Sequence, residues 1–126
     1  MSVNILGTDY PIATTTTLDL TDNQITDIPQ SISSLINLRE LYLHNNEITY
    51  IPESISSLTN LWELRLSHNK ISHIPESISS LTNLLYLCLS DNHIDDLSVV
   101  NTMSFELRDF SNQTPKPLLY LPDIII

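Results

Sequence analysis

The sequence predicts an α/β chain wound as a stacked-repeat solenoid. Its form is a right-handed arc with a parallel sheet on the concave side and short 3₁₀ or helical turns on the convex side. Three observations predict it. Four asparagines, Asn23, Asn46, Asn69 and Asn92, succeed one another at a constant interval of 23 residues, and a fixed period of that length marks a repeat architecture. Each is preceded by apolar residues alternating with variable ones (LDL, LYL, LRL, LCL), the period of a short strand with one buried face. Finally, the stretch IPESISSLTN stands unchanged at 51–60 and 74–83, so one segment of the repeat has a single admissible solution.

Taken in order, residues 1–14 are expected to form an N-terminal cap, with VNILGTDYPI (3–12) as a short strand and turn. Residues 15–106 hold four repeats, the first degenerate because Thr15 stands where later repeats have leucine, and the last divergent. Within a repeat the strand leads to asparagine, which offers two donors and one acceptor to backbone groups left open where the chain turns. Stacking would then align Asn23, Asn46, Asn69 and Asn92 in a buried ladder. The alternative is four exposed turn asparagines. Pro29, Pro52 and Pro75 cannot donate to a sheet and suit the opening of a helical turn. The SISSL that follows places apolar residues three apart, the spacing of a 3₁₀ segment with one buried edge. Solenoids expose their core at both ends. Residues 107–126 are therefore expected to be a C-terminal cap, with LRDFSN (107–112) in a divergent fifth strand and the apolar tail LLYLPDIII over the last repeat. The other reading makes them the start of a following segment cut short.

The complete pattern L-x-x-L-x-L-x-x-N-x-I occurs at 38–48, 61–71 and 84–94. On those residues the chain resembles the leucine-rich repeat proteins over about 15–103. The I-P-x-S-I-S-S-L-x-N version of the repeat resembles cytosolic and bacterial types, and SNQTPKPLLYLP resembles the segment that follows the repeats in bacterial internalins. The resemblance implies a non-catalytic module that holds another protein in its concave face. Small proteins of this type include bacterial effectors acting in a host cytosol and regulators that block a partner enzyme. The alternative implied is a recognition fragment of a larger receptor or adhesin.

Composition narrows the partner. The 126 residues carry 15 acidic and 5 basic side chains, a formal charge of −10. Such a surface is ill suited to nucleic acid or anionic membranes, which need clustered Lys and Arg. A neutral or basic protein surface is the expected partner, and a basic one would be electrostatically steered. No apolar run is long enough to span a bilayer. The first residues lack the basic and apolar regions of a secretory signal, which favours a cytoplasmic location or a secreted effector. The lone Cys88 leans toward a reducing compartment. One glycine in the whole chain argues against phosphate loops, catalytic elbows and type I′ hairpins, which tend to need several.

The variable positions flanking the buried leucines must face the concave side. They form columns, repeat by repeat: Thr16, Arg39, Trp62, Leu85; Thr17, Glu40, Glu63, Tyr86; Asp19, Tyr42, Arg65, Cys88; Thr21, His44, Ser67, Ser90; and Asp22, Asn45, His68, Asp91. Trp, Tyr and Arg dominate protein–protein hot spots because they bury much area and still make polar contacts. Trp62, Tyr42, Arg65 and Tyr86 are therefore the expected anchors, with Arg39, Glu40, Glu63, His44 and His68 as polar neighbours. Against this stand packing at the sheet margin for Trp62 and cross-strand packing for the two tyrosines.

Catalysis would fall to Cys88, His68, His44, Ser67 and Asp91. A Cys–His pair also needs an orienting group and an oxyanion site, and no glycine-rich or helix-start amides supply one. His44, His68 and Asp91 lack the close spacing of metal ligands. No enzyme activity, metal, cofactor or small-molecule substrate is expected. Alternation places Cys88 outward, as an exposed thiol beside the interface. His73 and His93 are expected in solvent, and Asn112-Gln113-Thr114 is a formal but unused glycosylation sequon.

Overall fold

The computed structural model describes residues 1–101, 103 and 107–113. The chain opens with an antiparallel hairpin, β1 (Ser2–Ile5) and β2 (Thr8–Pro11), in the register Ile5 opposite Thr8. Its two-residue turn, Leu6 and Gly7, has positive φ at both positions (51° and 89°), the requirement of a type I′ turn. The only glycine is thus used in the kind of turn that glycine scarcity argued against. One suffices because Leu6 accepts the left-handed conformation beside it. Asn4 braces the turn: its Oδ1 accepts from the Gly7 amide at 3.2 Å, and its Nδ2 donates to Asp9 at 2.7 Å.

Five three-residue strands then build one parallel sheet in chain order: β3 (Thr17–Asp19), β4 (Glu40–Tyr42), β5 (Glu63–Arg65), β6 (Tyr86–Cys88) and β7 (Leu107–Asp109). Leu18, Leu41, Leu64 and Leu87 stand in register at the middle of β3 to β6 and are fully buried. The return segments are 3₁₀ turns at Gln30–Ser34, Glu53–Ser57 and Glu76–Ser80, each entered through a proline. The fixed φ of that proline suits the entry, and its missing N–H forgoes only a bond that a helix start leaves unmade. Ile32, Ile55 and Ile78 point inward from these turns, three residues from Leu35, Leu58 and Leu81, all in one continuous core. In the fourth repeat Ser98 replaces the proline, and the return becomes one α-helical turn, α1 (Ser98–Asn101). The expected apolar tail over the last repeat and the remainder of the cap beyond Gln113 lie outside the described residues.

The asparagine ladder forms, but displaced toward the C-terminus. Asn46, Asn69 and Asn92 are buried (8%, 6% and 1% exposed). In each, Nδ2 donates to a carbonyl of its own turn and to one in the preceding repeat: Asn46 to Leu20, Asn69 to Leu43 and Asn92 to Leu66 at 3.0–3.1 Å. Oδ1 accepts the amide of Ile25, Ile48 or Ile71 at 3.0 Å. Asn23 does not join this ladder. It is exposed, and its side chain donates only to the Thr21 carbonyl at 3.1 Å. The physical reason is direction: Asn46, Asn69 and Asn92 each reach back to a carbonyl of the preceding parallel repeat, whereas the element before Asn23's repeat is the antiparallel β1–β2 hairpin. The fourth buried rung is instead Gln113, bridged to Asn92 and bonded to the Leu89 and Phe110 carbonyls and the Ile94 amide.

A second amide series runs alongside. Asn37 donates to the Ala13 carbonyl at 3.2 Å, Asn60 to Ile36 at 2.9 Å and Asn83 to Thr59 at 2.8 Å. These residues end the SSLIN and SSLTN segments, so IPESISSLTN contributes a stacking bond as well as a turn.

Candidate protein-binding face

The register sets the concave columns side by side: Thr17, Glu40, Glu63 and Tyr86 in one row, Asp19, Tyr42, Arg65, Cys88 and Asp109 in the next. Glu40 and Glu63 therefore face each other on adjacent strands, an unfavourable juxtaposition of like charges. Two contacts relieve it. The Tyr42 hydroxyl donates to Glu40 Oε2 at 2.8 Å, and the Arg65 guanidinium ion-pairs with Glu63. The Glu63 side chain is only 12% exposed, against 41% for Arg65, so the arginine stands as a lid on a nearly buried carboxylate. Arg65 also lies over the Tyr42 ring, 5.8 Å from its centroid, within the range of a cation–π contact.

Burial pushes the Tyr42 phenol up to about 12, reinforced by the hydrogen bond to Glu40 and the Glu63 charge. The Glu63 contact likewise holds Arg65 above its ordinary value. Trp62 packs edge-on to Tyr86 with centroids 5.3 Å apart and planes at 74°, a favoured aromatic geometry. Both rings remain partly exposed. Trp62 thus does pack at the sheet margin while still presenting surface.

The polar neighbours divide. Arg39 is exposed, immediately before β4. His44 is half-buried, its ring edge-on to Tyr42 at 6.3 Å and Nε2 3.5 Å from the Thr21 hydroxyl. His68 is exposed, with Nε2 3.2 Å from Asp91 Oδ2. Its column has a role that sequence reading missed. Asp22, Asn45, His68, Asp91 and Asn112 all have φ between 55° and 59°, each one residue before a ladder position. Asp and Asn tolerate that left-handed region, so this column answers chiefly to the backbone. His68 fits the same rule, histidine being enriched there with Asp and Asn.

Cys88 corrects the expectation of an exposed thiol. It does occupy an outward strand position, but it is buried at 9% exposure. Its in-register neighbours are the longer Arg65 and Asp109, which overtop a short side chain. Burial raises its pKa, the reverse of what activates a nucleophile.

Below these rows the first column lines a groove of about 550 Å³, bounded by Thr16, Thr17, Arg39, Glu40, Asn60, Trp62, Asn83 and Leu85. Consecutive members of the column are tied by backbone bonds: Arg39 N–H to the Thr16 carbonyl at 2.7 Å, Trp62 to Arg39 at 2.9 Å and Leu85 to Trp62 at 2.9 Å.

A parallel sheet of 23-residue repeats, an amide ladder behind it and 3₁₀ returns outside define a class, and the comparisons agree. The leucine rich repeat family matches residues 13–71 and 52–94, and the chain belongs to that family. Leucine-rich repeat proteins are in general non-catalytic binding modules, and these repeats support a role in protein interaction. Among solved structures, the chain is similar to a leucine-rich repeat protein of Leptospira interrogans (33% identity, TM-score 0.66, 78% of this chain and 26% of that one). It is also similar to two Listeria monocytogenes internalins. With InlF the identity is 31% and the TM-score 0.66, over 77% of this chain and 27% of that one. With internalin C2 they are 31% and 0.67, over 88% and 50%. The chain therefore spans between about a quarter and a half of these relatives' lengths. No protein of curated function matches it in sequence.

Proposed function

We propose that this chain docks a partner protein on its concave sheet through Tyr42, Arg65, Trp62 and Tyr86. The observation that carries the reading is the state of those four side chains. Each is partly exposed, and Trp62–Tyr86 and Tyr42–Arg65 are already held in ring contacts. Anchors ordered before binding lose little conformational entropy on docking. The strongly acidic chain favours a partner whose surface as a whole is neutral or basic. Where that partner is an enzyme, Trp62 and Arg65 at its cleft would act by steric exclusion of substrate, without chemistry of their own.

The test is capture of a partner from source-organism lysate, identified by mass spectrometry, and then the affinity of Trp62→Ala combined with Arg65→Ala. Because Arg65 neutralises the nearly buried Glu63, Glu63→Gln accompanies the pair to preserve folding. Losing two hot-spot side chains should weaken capture by about 30-fold or more. Wild-type affinity in a folded variant would move the interface off this face.

A second reading rests on length. The chain covers 26% and 27% of the Leptospira protein and InlF, which favours a recognition segment within a larger protein of adhesin type. Both readings use the same face.

A further inference from the structure

Resting on the concave-face reading, the groove formed by the first column names the element of the partner that docks there. We propose that it binds an extended acidic peptide segment, with a carboxylate over Arg39 and a bulky apolar side chain over Trp62 and Leu85.

The first support is charge. The chain is strongly acidic, yet the cation in this groove is uncommitted. Among the described side chains, Arg65 is paired with Glu63 and Lys70 with Glu47 at 3.2 Å, while Arg39 has neither an ion pair nor a hydrogen bond. The adjacent carboxylate does not cancel it, because Glu40 is drawn along its own strand by the Tyr42 hydroxyl. Charges are screened beyond about 8 Å at physiological salt, so the nearest group sets the local preference. The whole chain favours a basic partner at long range, and the groove favours an acid at contact.

The second support is spacing. Arg39, Trp62 and Leu85 sit at equivalent positions of three successive repeats, joined by the backbone bonds given above. Neighbouring strands lie roughly 4.8 Å apart, so Arg39 and Leu85 are separated by about 9.6 Å, and a peptide in the extended polyproline II conformation advances about 3.1 Å per residue with about three residues per turn. Three residues therefore span the distance and bring the side chain back to the same face, which selects the pattern acidic–x–x–apolar. Leu85 is one of the few large apolar side chains left exposed, at 36%, and Trp62 lies between it and the arginine. Asn60 and Asn83 flank the groove with their amide nitrogens committed to Ile36 and Thr59. Their Oδ1 atoms remain as acceptors for peptide N–H groups.

The experiment uses acetylated, fluorescein-labelled decapeptides read by fluorescence anisotropy. One carries Glu-x-x-Phe in a Ser/Thr background; the others replace Glu by Gln, replace Glu by Lys, or place Phe directly after Glu. The first should bind measurably, and each change should weaken it. Arg39→Gln should weaken the first peptide by about tenfold or more, the effect of losing a charge-assisted bond, and Leu85→Ser should weaken it as well. Both positions are exposed, so the fold is retained, which a thermal melt checks. Tighter binding of the Lys peptide, unchanged affinity in Arg39→Gln, or no binding of Glu-x-x-Phe at millimolar concentration would each overturn the proposal. Partner capture by the Trp62, Arg65 and Glu63 variant is read separately, so this inference can fail while the concave-face reading stands.

Discussion

Asn69→Leu gives the sharpest test of how the solenoid is held. Asn69 is 6% exposed. Its Oδ1 accepts from Ile48 N–H at 3.0 Å, and its Nδ2 donates to the carbonyls of Leu43 at 3.1 Å, Leu66 at 3.0 Å and Ser67 at 3.3 Å. Leucine is nearly isosteric, so little cavity forms, but the groups on Ile48, Leu43 and Leu66 lose this partner while remaining buried. Only the Ile48 amide is left without a partner, because the Leu43 carbonyl still accepts from Asn46 and the Leu66 carbonyl from Asn92. At about 1–3 kcal/mol for the stranded amide and about 0.5–1.5 kcal/mol for each bond lost at the carbonyls, the cost is about 2–6 kcal/mol. That is a large part of the roughly 5–15 kcal/mol available to a domain. For a chain of this size, a fall in Tm of about 10 °C or more is expected, measured by circular dichroism. Asn23→Leu is the control, because its one side-chain bond lies in solvent; it should shift stability by less than about 1 kcal/mol. An Asn69→Leu protein that melts with wild type, or equal losses at the two positions, would refute the directional ladder.

Three further outcomes are expected. Leu6→Asn should stabilise the hairpin by about 0.5–1 kcal/mol, since asparagine before glycine suits a type I′ turn and leucine does not; a chemical-denaturation midpoint that falls would contradict the turn assignment. In an ultraviolet phenolate titration, Tyr42 should ionise near pH 12, later than an ordinary tyrosine. Because its folded pKa is raised above the unfolded value, the associated stability is intact below about pH 10 and is lost between there and about pH 12; Glu40→Gln should bring that titration down. Finally, Cys88 should alkylate far more slowly in the folded chain than in denaturant, burial both shielding the thiol and raising its pKa. Equal rates would mean that Arg65 and Asp109 do not cover it.

The sequence by itself determined the period, the strand positions, the proline-led returns and the set of side chains that share the concave face. These follow from local rules: alternation puts Leu41 inward and Tyr42 outward whatever surrounds them, and Pro52 constrains its own φ. Even the second amide series was legible, because Asn37, Asn60 and Asn83 keep the same interval. Only the tertiary structure decided what each position meets. Asn23 has the right letter, but the element before its repeat is the β1–β2 hairpin, which is not built as a repeat. Gln113 has a different letter two residues short of the interval, and a longer side chain that still reaches the last ladder site. Cys88 points outward yet is buried, because exposure depends on the lengths of Arg65 and Asp109 on neighbouring strands. Arg65, expected as an anchor, is committed to Glu63, while Arg39, expected as a polar neighbour, is not. A repeat dictates its own path; burial and pairing belong to the neighbours, and a residue's neighbours here lie 23 positions away or across the sheet.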